Sequence, residues 1–208
     1  MISGTAYGVV LNDSDEVARL SVQMSEKPYE HPPVAPVVYI KPRTCFAPWS
    51  APVTLDADIA EVSIGATVGV LFGRDATRIT PEQARAHIAS ACLAIDVHVP
   101  HGSYYRPAIA QRCRDGFLPL GAFDRLPESI GPIVTSVDGR EVHRWSLDRL
   151  VRPIEQLIGE LSDFMTLRAG DLLLIGLPGD AALTGSGRAV TVSAEGLPTL
   201  STRFEDAR

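Results

Sequence analysis

The chain reads as an α+β fold with a β-rich core, and three observations predict it. Apolar residues recur at every second position in several stretches, the period of a strand with one face in a core. Helical periodicity is confined to about three stretches. The two kinds of element do not follow one another in regular βαβ order, which sets a doubly wound sheet aside.

Ala6–Leu11 is the first predicted strand, and Ser14–Ser25 a short amphipathic helix with Val17, Leu20 and Met24 on one stripe. Lys27–Pro36 carries four prolines and is expected to be extended. Val37–Ile40 is a strand running into the loop Lys41-Pro42-Arg43-Thr44. The clearest strand is Val62–Phe72. Its even positions are all apolar, while Ser63, Gly65, Thr67 and Gly69 leave the other face with little side-chain volume. Such a face either lets a ligand approach or packs closely on another layer.

Thr80-Pro81-Glu82-Gln83 has the cap, the first-turn proline and the capping-box glutamine of a helix start. Ala84, Ile88, Ala91 and Cys92 follow at helical spacing. Leu93–Val99 alternates again, with Asp96 and His98 on one face. Asp138-Gly139 marks a hairpin between Ile133–Val137 and Glu141–Trp145. Pro153 opens a helix whose stripe is Ile154, Leu157, Ile158, Leu161 and Phe164. Leu172–Ile175 reads as a buried strand delivering Gly176-Leu177-Pro178-Gly179 to a surface, and Val190–Ala194 as the last strand.

The 208 residues are 45% hydrophobic and 21% charged, which suits one domain over 1–208. A net charge of −6 argues against a nucleic-acid footprint. No apolar run approaches the ~20 residues of a membrane span, and the first residues do not read as a secretion signal. Three cysteines without C-x-x-C spacing fit a reducing compartment, so a cytoplasmic protein is expected.

The densest polar segment is Tyr104–Gly121. It holds Arg106, Arg112 and Arg114 beside Tyr104 and Tyr105 in an otherwise acidic chain. Arginine forks suit carboxylates, so the segment reads as a wall for a small organic acid, or as a loop of solvated and ion-paired arginines. Asp96 lies mid-strand among apolar neighbours, where a carboxylate is costly unless paired or metal-bound. With His98 on the same face it could form part of a metal or acid–base site, two ligands being few for a metal; the alternative is a strand-edge aspartate in water. Cys113 sits between two arginines, a setting that favours a thiolate. His31, His87, His101 and His143 have no partner spacing and read as surface residues. Gly185-Ser186-Gly187 reads as a turn.

The order Tyr39-Ile40-Lys41-Pro42-Arg43, Gly65-Ala66-Thr67-Val68, Tyr105-Arg106-Pro107-Ala108, Cys113-Arg114-Asp115-Gly116-Phe117, Phe164–Asp171 and Gly176-Leu177-Pro178 resembles the fumarylacetoacetate hydrolase superfamily. Within it, the resemblance is to the amino-terminal half, or first subunit, of the bifunctional isomerase/decarboxylases of 4-hydroxyphenylacetate (homoprotocatechuate) breakdown. It implies a mixed β-sandwich roll and a divalent metal, Mg or Mn, that polarises a keto acid. The implied reactions are decarboxylation of 5-oxopent-3-ene-1,2,5-tricarboxylate and isomerisation of 2-hydroxyhepta-2,4-diene-1,7-dioate.

Carried over residue by residue, the resemblance places the family's two metal-binding glutamates at Gly65 and Thr67, which offer no carboxylate. The third ligand survives as Asp96. Arg112 stands where the family has a lysine and, with Asp115, takes the catalytic positions. Tyr105, Arg106, Arg114 and Gly176 take the substrate-binding ones. The expectation is a chain without a tight metal site of its own, paired with a homologous metal-binding subunit or in a homo-oligomer. The alternative is a non-catalytic dicarboxylate-binding or scaffolding member of the fold.

Overall fold

The computed structural model describes residues 2–27, 30–47, 51–101 and 108–207. Its strands in chain order are β1 (Ala6–Val10), β2 (Val37–Lys41), β3 (Phe46–Ala47), β4 (Val53–Leu55), β5 (Val62–Phe72), β6 (Ile88–His98) and β7 (Leu118–Pro119). There follow β8 (Ile133–Val137), β9 (Arg140–Trp145), β10 (Leu172–Leu174), β11 (Leu183–Thr184), β12 (Ala189–Ala194) and β13 (Leu197–Asp206). The α-helices are α1 (Ser14–Met24), the single turn α2 (Ile109–Arg112) and α3 (Ile154–Phe164).

Six strands form one sheet in the order β11-β5-β10-β1-β2, with β6 also on β5. Five form a second sheet, β4-β13-β12-β8-β9. The long antiparallel pair β5–β6 is the spine, because Val62–Phe72 is buried at all eleven positions. Its even face (Val62, Ile64, Ala66, Val68, Val70, Phe72) joins Ile133, Trp145, Val190, Val192 and Phe204 of the second sheet in the main core. Trp145 bridges the two layers, its Nε1 donating to the Ala66 carbonyl at 3.0 Å.

The other face of the spine splits in two. At one end Cys92, Ala94, Leu118, Leu172 and Leu174 form a smaller apolar cluster over Gly69. At the other end stand Ser63, Gly65 and Thr67, opposite His98, Asp96 and Ala94 in register. The low side-chain volume of this face is filled at Gly69 by Leu172, Leu174 and Cys92.

Several expectations are corrected. The helix announced at Thr80 is a seven-residue 3-10 segment, Pro81–His87, with its capping box intact. Ile88, Ala91 and Cys92 belong to β6, because pairing with β5 satisfies their backbone along the strand. Phe164 is 66% exposed at the end of α3, outside the buried stripe of Ile154, Leu157, Ile158 and Leu161. On α1 only Met24 is fully buried. The last strand is not Val190–Ala194 but β13, in which Leu200, Thr202 and Phe204 alternate inward. The Asp138-Gly139 hairpin is present, with φ of +49° and +80° at its two central residues. No helix of the described residues is long and apolar enough to cross a membrane.

Candidate functional site

The site sits where β5, β6 and β2 meet the loop after β10. Asp96 is fully buried rather than at a strand edge in water, and four side chains surround its carboxylate. Lys41 Nζ lies 3.1 Å from Oδ1, with both side chains fully buried. Arg112 Nη1 approaches the same oxygen at 3.3 Å. The Tyr39 hydroxyl donates to Oδ2. His98 Nδ1 stands 4.0 Å away.

Local structure explains each placement. Tyr39 pairs with Gly8 across β1–β2, and its ring occupies the space a Cβ at Gly8 would need. That lets the ring lie flat on the sheet with its hydroxyl directed to Asp96. Burial first, then the neighbouring Asp96 charge, push the phenol well above its ordinary pKa, so it remains a donor. The Arg112 guanidinium stacks over the same ring at 5.2 Å. Lys41 closes β2 and donates to the carbonyls of Val97 (3.1 Å), Arg112 (2.6 Å) and Phe117 (3.1 Å). One ammonium thereby joins β2, β6 and the segment after α2.

A cavity of about 100 Å³ opens beside this cluster, among Glu16, Ser63, Gly65, His98, Arg112 and Leu177. A larger concavity of about 370 Å³ along Asp124–Glu128 is lined by a single loop, so size alone does not locate the chemistry. Burial, then the Arg112 charge, lower the His98 pKa to about 4, so the ring is neutral at pH 7. Its ring meets His101 edge-on, 6.0 Å between centroids.

The implied divalent cation can be tested against these donors. Among the described residues no group of three or more His, Cys, Asp or Glu side chains is placed to hold a metal. At Gly65 a Cβ would come within 3.1 Å of Leu177 Cδ2 and 3.2 Å of the Asp96 carbonyl, so Leu177 fills the space a longer side chain there would take. Thr67 is fully buried and turns its hydroxyl to the Gly176 carbonyl at 2.5 Å. Both Asp96 oxygens are already engaged by cations or a phenol. A hard divalent cation wants several anionic or carbonyl oxygens. This set offers one carboxylate, already compensated, and does not fit it.

Of the site residues expected from sequence, Asp96 and Arg112 come together here, whereas Gly176, with φ of +149°, packs beside Asn12 and Leu150 and accepts from Thr67. Arg114 does not line the cavity: its Nη1 pairs with Asp56 at 2.5 Å and its Nε donates to the Ala110 carbonyl. Asp115 is exposed in the turn that follows. Tyr105 and Arg106 lie outside the described residues. Cys113 is half-buried with Sγ 3.6 Å from the Ile40 carbonyl. Cys45 and Cys92 are buried thiols pushed up by burial to about 11 and about 12. His143 is not a free surface residue, since it pairs with Asp180 at 3.1 Å. Sequence reasoning gave Lys41 and Tyr39 no part in the site beyond their place in the family motif. Lys41 left a trace, being one of only two lysines in the chain, at the end of an apolar strand.

Comparison with known proteins identifies the family. The family described as fumarylacetoacetate (FAA) hydrolase C-terminal matches residues 5–205. The chain belongs to that family. It is similar to the 4-hydroxyphenylacetate degradation bifunctional isomerase/decarboxylase of Salmonella dublin, 38% identical over 96% of this chain and 46% of the relative. The Escherichia coli protein of the same description is 36% identical over 100% of this chain and 48% of its own length. The chain therefore spans about half the length of these curated relatives. An oxaloacetate tautomerase of Escherichia coli is 29% identical, with 82% of each chain covered.

Among solved structures, a 5-carboxymethyl-2-hydroxymuconate delta-isomerase from Mycobacterium smegmatis superimposes with a TM-score of 0.83 at 23% identity, covering 100% of this chain and 78% of that one. Fumarylpyruvate hydrolase from Pseudomonas aeruginosa, in complex with Mn2+ and pyruvate, gives 0.81 at 21%, covering 98% and 90%. These likenesses establish the β-rich fold.

Two outcomes follow from the buried cluster. Lys41→Met leaves Asp96 buried with one cation fewer and three carbonyls without their donor. It is expected to cost about 3–5 kcal/mol in urea unfolding. For His98, the folded pKa of about 4 lies below the ordinary 6.5, so the unfolded chain takes up this proton first as pH falls. Its contribution to stability is complete above the unfolded pKa and is lost as pH drops through the folded one, by at most ~3 kcal/mol. His98→Gln should accordingly flatten the fall in unfolding midpoint between neutral and acidic pH. An unchanged slope would count against this assignment.

Proposed function

We propose that this chain is the metal-free half of a 5-oxopent-3-ene-1,2,5-tricarboxylate decarboxylase / 2-hydroxyhepta-2,4-diene-1,7-dioate isomerase, acting beside a homologous unit that carries the complete metal site. The observation that carries the reading is the coupled replacement at the spine, Gly65 packed by Leu177 and Asp96 held by Lys41 and Arg112. Simple decay of a metal site would leave a void or an uncompensated charge. Here the volume is filled and the charge is balanced, so the fold can be kept while the cation is given up. The similarity to about half of a bifunctional isomerase/decarboxylase supports a second, homologous half.

In this reading Arg112 faces the multi-carboxylate keto acid at the cavity, Gly176 opens the loop whose next residues, Leu177 to Gly179, line it, and Tyr105 and Arg106 keep the substrate-binding part that the resemblance implies. Arg112 cannot exchange a proton near neutral pH, so its part is to hold negative charge. Arg114 and Asp115 serve to order the turn that carries Arg112. The soluble, cytoplasmic character expected from composition belongs to the same proposal.

Titration of Mg2+ or Mn2+ into the purified chain is expected to show no stoichiometric micromolar site. Decarboxylation of the tricarboxylate should be absent from the chain alone and appear on co-expression with a homologous chain bearing the two glutamates. A tight site in this chain would contradict the reading. Failure of co-expression to yield activity would favour a dicarboxylate-binding member without turnover.

A further inference from the structure

The short strands β3 and β7 close a small interface that the reading above leaves unused. On one side lie the end of β2 and the 3-10 turn Arg43–Cys45, and on the other the segment from α2 to β7. Gly116 N donates to the Thr44 carbonyl at 2.9 Å, and Phe46 pairs with Leu118 in parallel register. Lys41 Nζ adds the carbonyls of Arg112 and Phe117. Each side brings one cysteine to this interface. Cys45 closes the 3-10 turn, its N donating to the Pro42 carbonyl at 2.9 Å, and is fully buried. Cys113 follows Arg112 at the end of α2 and is half-buried, with Sγ 3.6 Å from the Ile40 carbonyl.

Both residues meet the same apolar cluster. Cys45 is a member of it with Leu118, Leu120 and Cys92, and Cys113 packs against it. The two thiols lie within electrostatic reach of each other. Burial foremost takes the Cys45 thiol up to about 11, with Lys41 pulling down and Cys113 pushing up. A thiol so placed stays protonated and shielded from reagents in water. Cys113 is open to them, and a thiol 3.6 Å from a carbonyl is only weakly held. Cys92, the third cysteine, is fully buried in β6 against Gly69 of β5.

We propose that Cys113 and Cys45 form an oxidant-responsive pair, in which a hydroperoxide oxidises Cys113 and Cys45 resolves the product into a reversible disulfide. The thiolate is the nucleophile in such chemistry. In the first step the Cys113 thiolate attacks the outer oxygen of the hydroperoxide. An S–O bond forms, the O–O bond breaks, and the alcohol (water, for hydrogen peroxide) leaves after taking up a proton. In the second step the Cys45 sulfur attacks the sulfenic sulfur of Cys113. The S–S bond forms, the S–O bond breaks, and water leaves. Two thiols have then given up two electrons, and one hydroperoxide has been reduced to alcohol and water. The proposal goes beyond keto-acid chemistry and needs neither a metal nor a partner chain.

The bridge ties together the two segments that hold the Asp96 cluster, since Tyr39 and Lys41 come from β2 and Arg112 directly precedes Cys113. To reach Cys45, the Cys113 Sγ leaves the Ile40 carbonyl and turns toward the cluster, and the main chain at Arg112 moves with it. The bond from Lys41 to the Arg112 carbonyl limits that movement. In a reducing compartment such a disulfide is transient, formed under oxidant and reversed by thiols, as in a sensing pair rather than a structural staple.

The test is thiol mapping of the purified, reduced chain after equimolar hydrogen peroxide, with remaining thiols blocked by N-ethylmaleimide and read by intact mass and peptide mapping. Free thiols are expected to fall from three to one, the survivor being Cys92, with a Cys45–Cys113 cross-linked peptide that dithiothreitol reverses. Cys45→Ala should stop at a Cys113 sulfenic acid, which dimedone traps. Cys113→Ser should slow oxidation of Cys45 on the order of 10-fold or more. Cys92→Ala should bridge like the parent. Thermal unfolding checks that each variant folds, and should one not fold, the peptide map of the parent chain decides alone. Three free thiols after peroxide, Cys113 oxidised without a bridge, a bridge through Cys92, a cross-link between chains in place of the internal one, or Cys45 oxidised as fast without Cys113 would each overturn the proposal. Metal binding and decarboxylation play no part in these measurements, so this proposal and the function above can fail separately.

Discussion

The arrangement of the site depends on one buried ion pair, Lys41 with Asp96. Placing an ammonium and a carboxylate out of water costs several kcal/mol per ion, and attraction offsets that only if the remaining hydrogen-bonding capacity is used. Lys41 meets the condition with three carbonyls from β6 and from the segment on either side of Cys113–Gly116. Asp96 meets it with Tyr39 and Arg112. The pair thus does more than neutralise a charge. It anchors the start and end of the Cys113–Phe117 turn to the spine, and it determines where the Arg112 guanidinium can lie. An arginine at position 41 would bring a wide planar fork where three carbonyls and a carboxylate converge on one point.

Given that pair, the replacements on β5 make joint sense. Two carboxylates at positions 65 and 67 would add two negative charges to Asp96 on one face of the β5–β6 pair, a cluster tolerable only with a strong cation among them. Once an ammonium and a guanidinium compensate Asp96 alone, further carboxylates lose their reason. Glycine at 65 admits Leu177, and threonine at 67 satisfies the Gly176 carbonyl. These two contacts bring the loop after β10 down onto the spine. The same loop then meets the first turn of α1, so the packing at Gly65 and Thr67 also builds a wall of the cavity.

Much of this architecture was legible in the sequence. Strict alternation in Val62–Phe72 gave a strand with the right bounds, and Asp138-Gly139 gave the hairpin, because both depend on local periodicity and backbone chemistry. The segment around Thr80 misled for a physical reason: its cap is real, but seven residues of 3-10 helix are all it starts before pairing with β5 takes over. Asp96 stood out because a carboxylate amid apolar alternation demands a partner. Its partners did not stand out, since Lys41 and Tyr39 lie more than fifty residues earlier and only strand pairing brings them close. Arg114 shows the opposite limit. Three arginines in one segment look equivalent in sequence, yet one lines the cavity and another is turned to Asp56.

The same limit explains why Glu16 was invisible. On a helical wheel it is one more acidic residue in a first turn, where such residues are common because they suit the helix dipole. Its placement follows from what lies around it: the left-handed Leu11, the buried Asn12, and an aspartate cap clamped by Arg149. Arg149 also holds Asp180 at 3.0 Å, and Asp180 meets His143 from β9. Burial alone would raise the Asp180 carboxyl, but its hydrogen bonds from Arg149 and His143 prevail and keep it low. The chain of charges therefore runs from the second sheet through Asp180 and Arg149 to Asp13, and ends beside Glu16. Rigidity at that first turn is supplied by both sheets at once. The first turn of α1 is thereby held against the loop after β10 by a buried aspartate cap whose arginine partner is itself fixed from the second sheet.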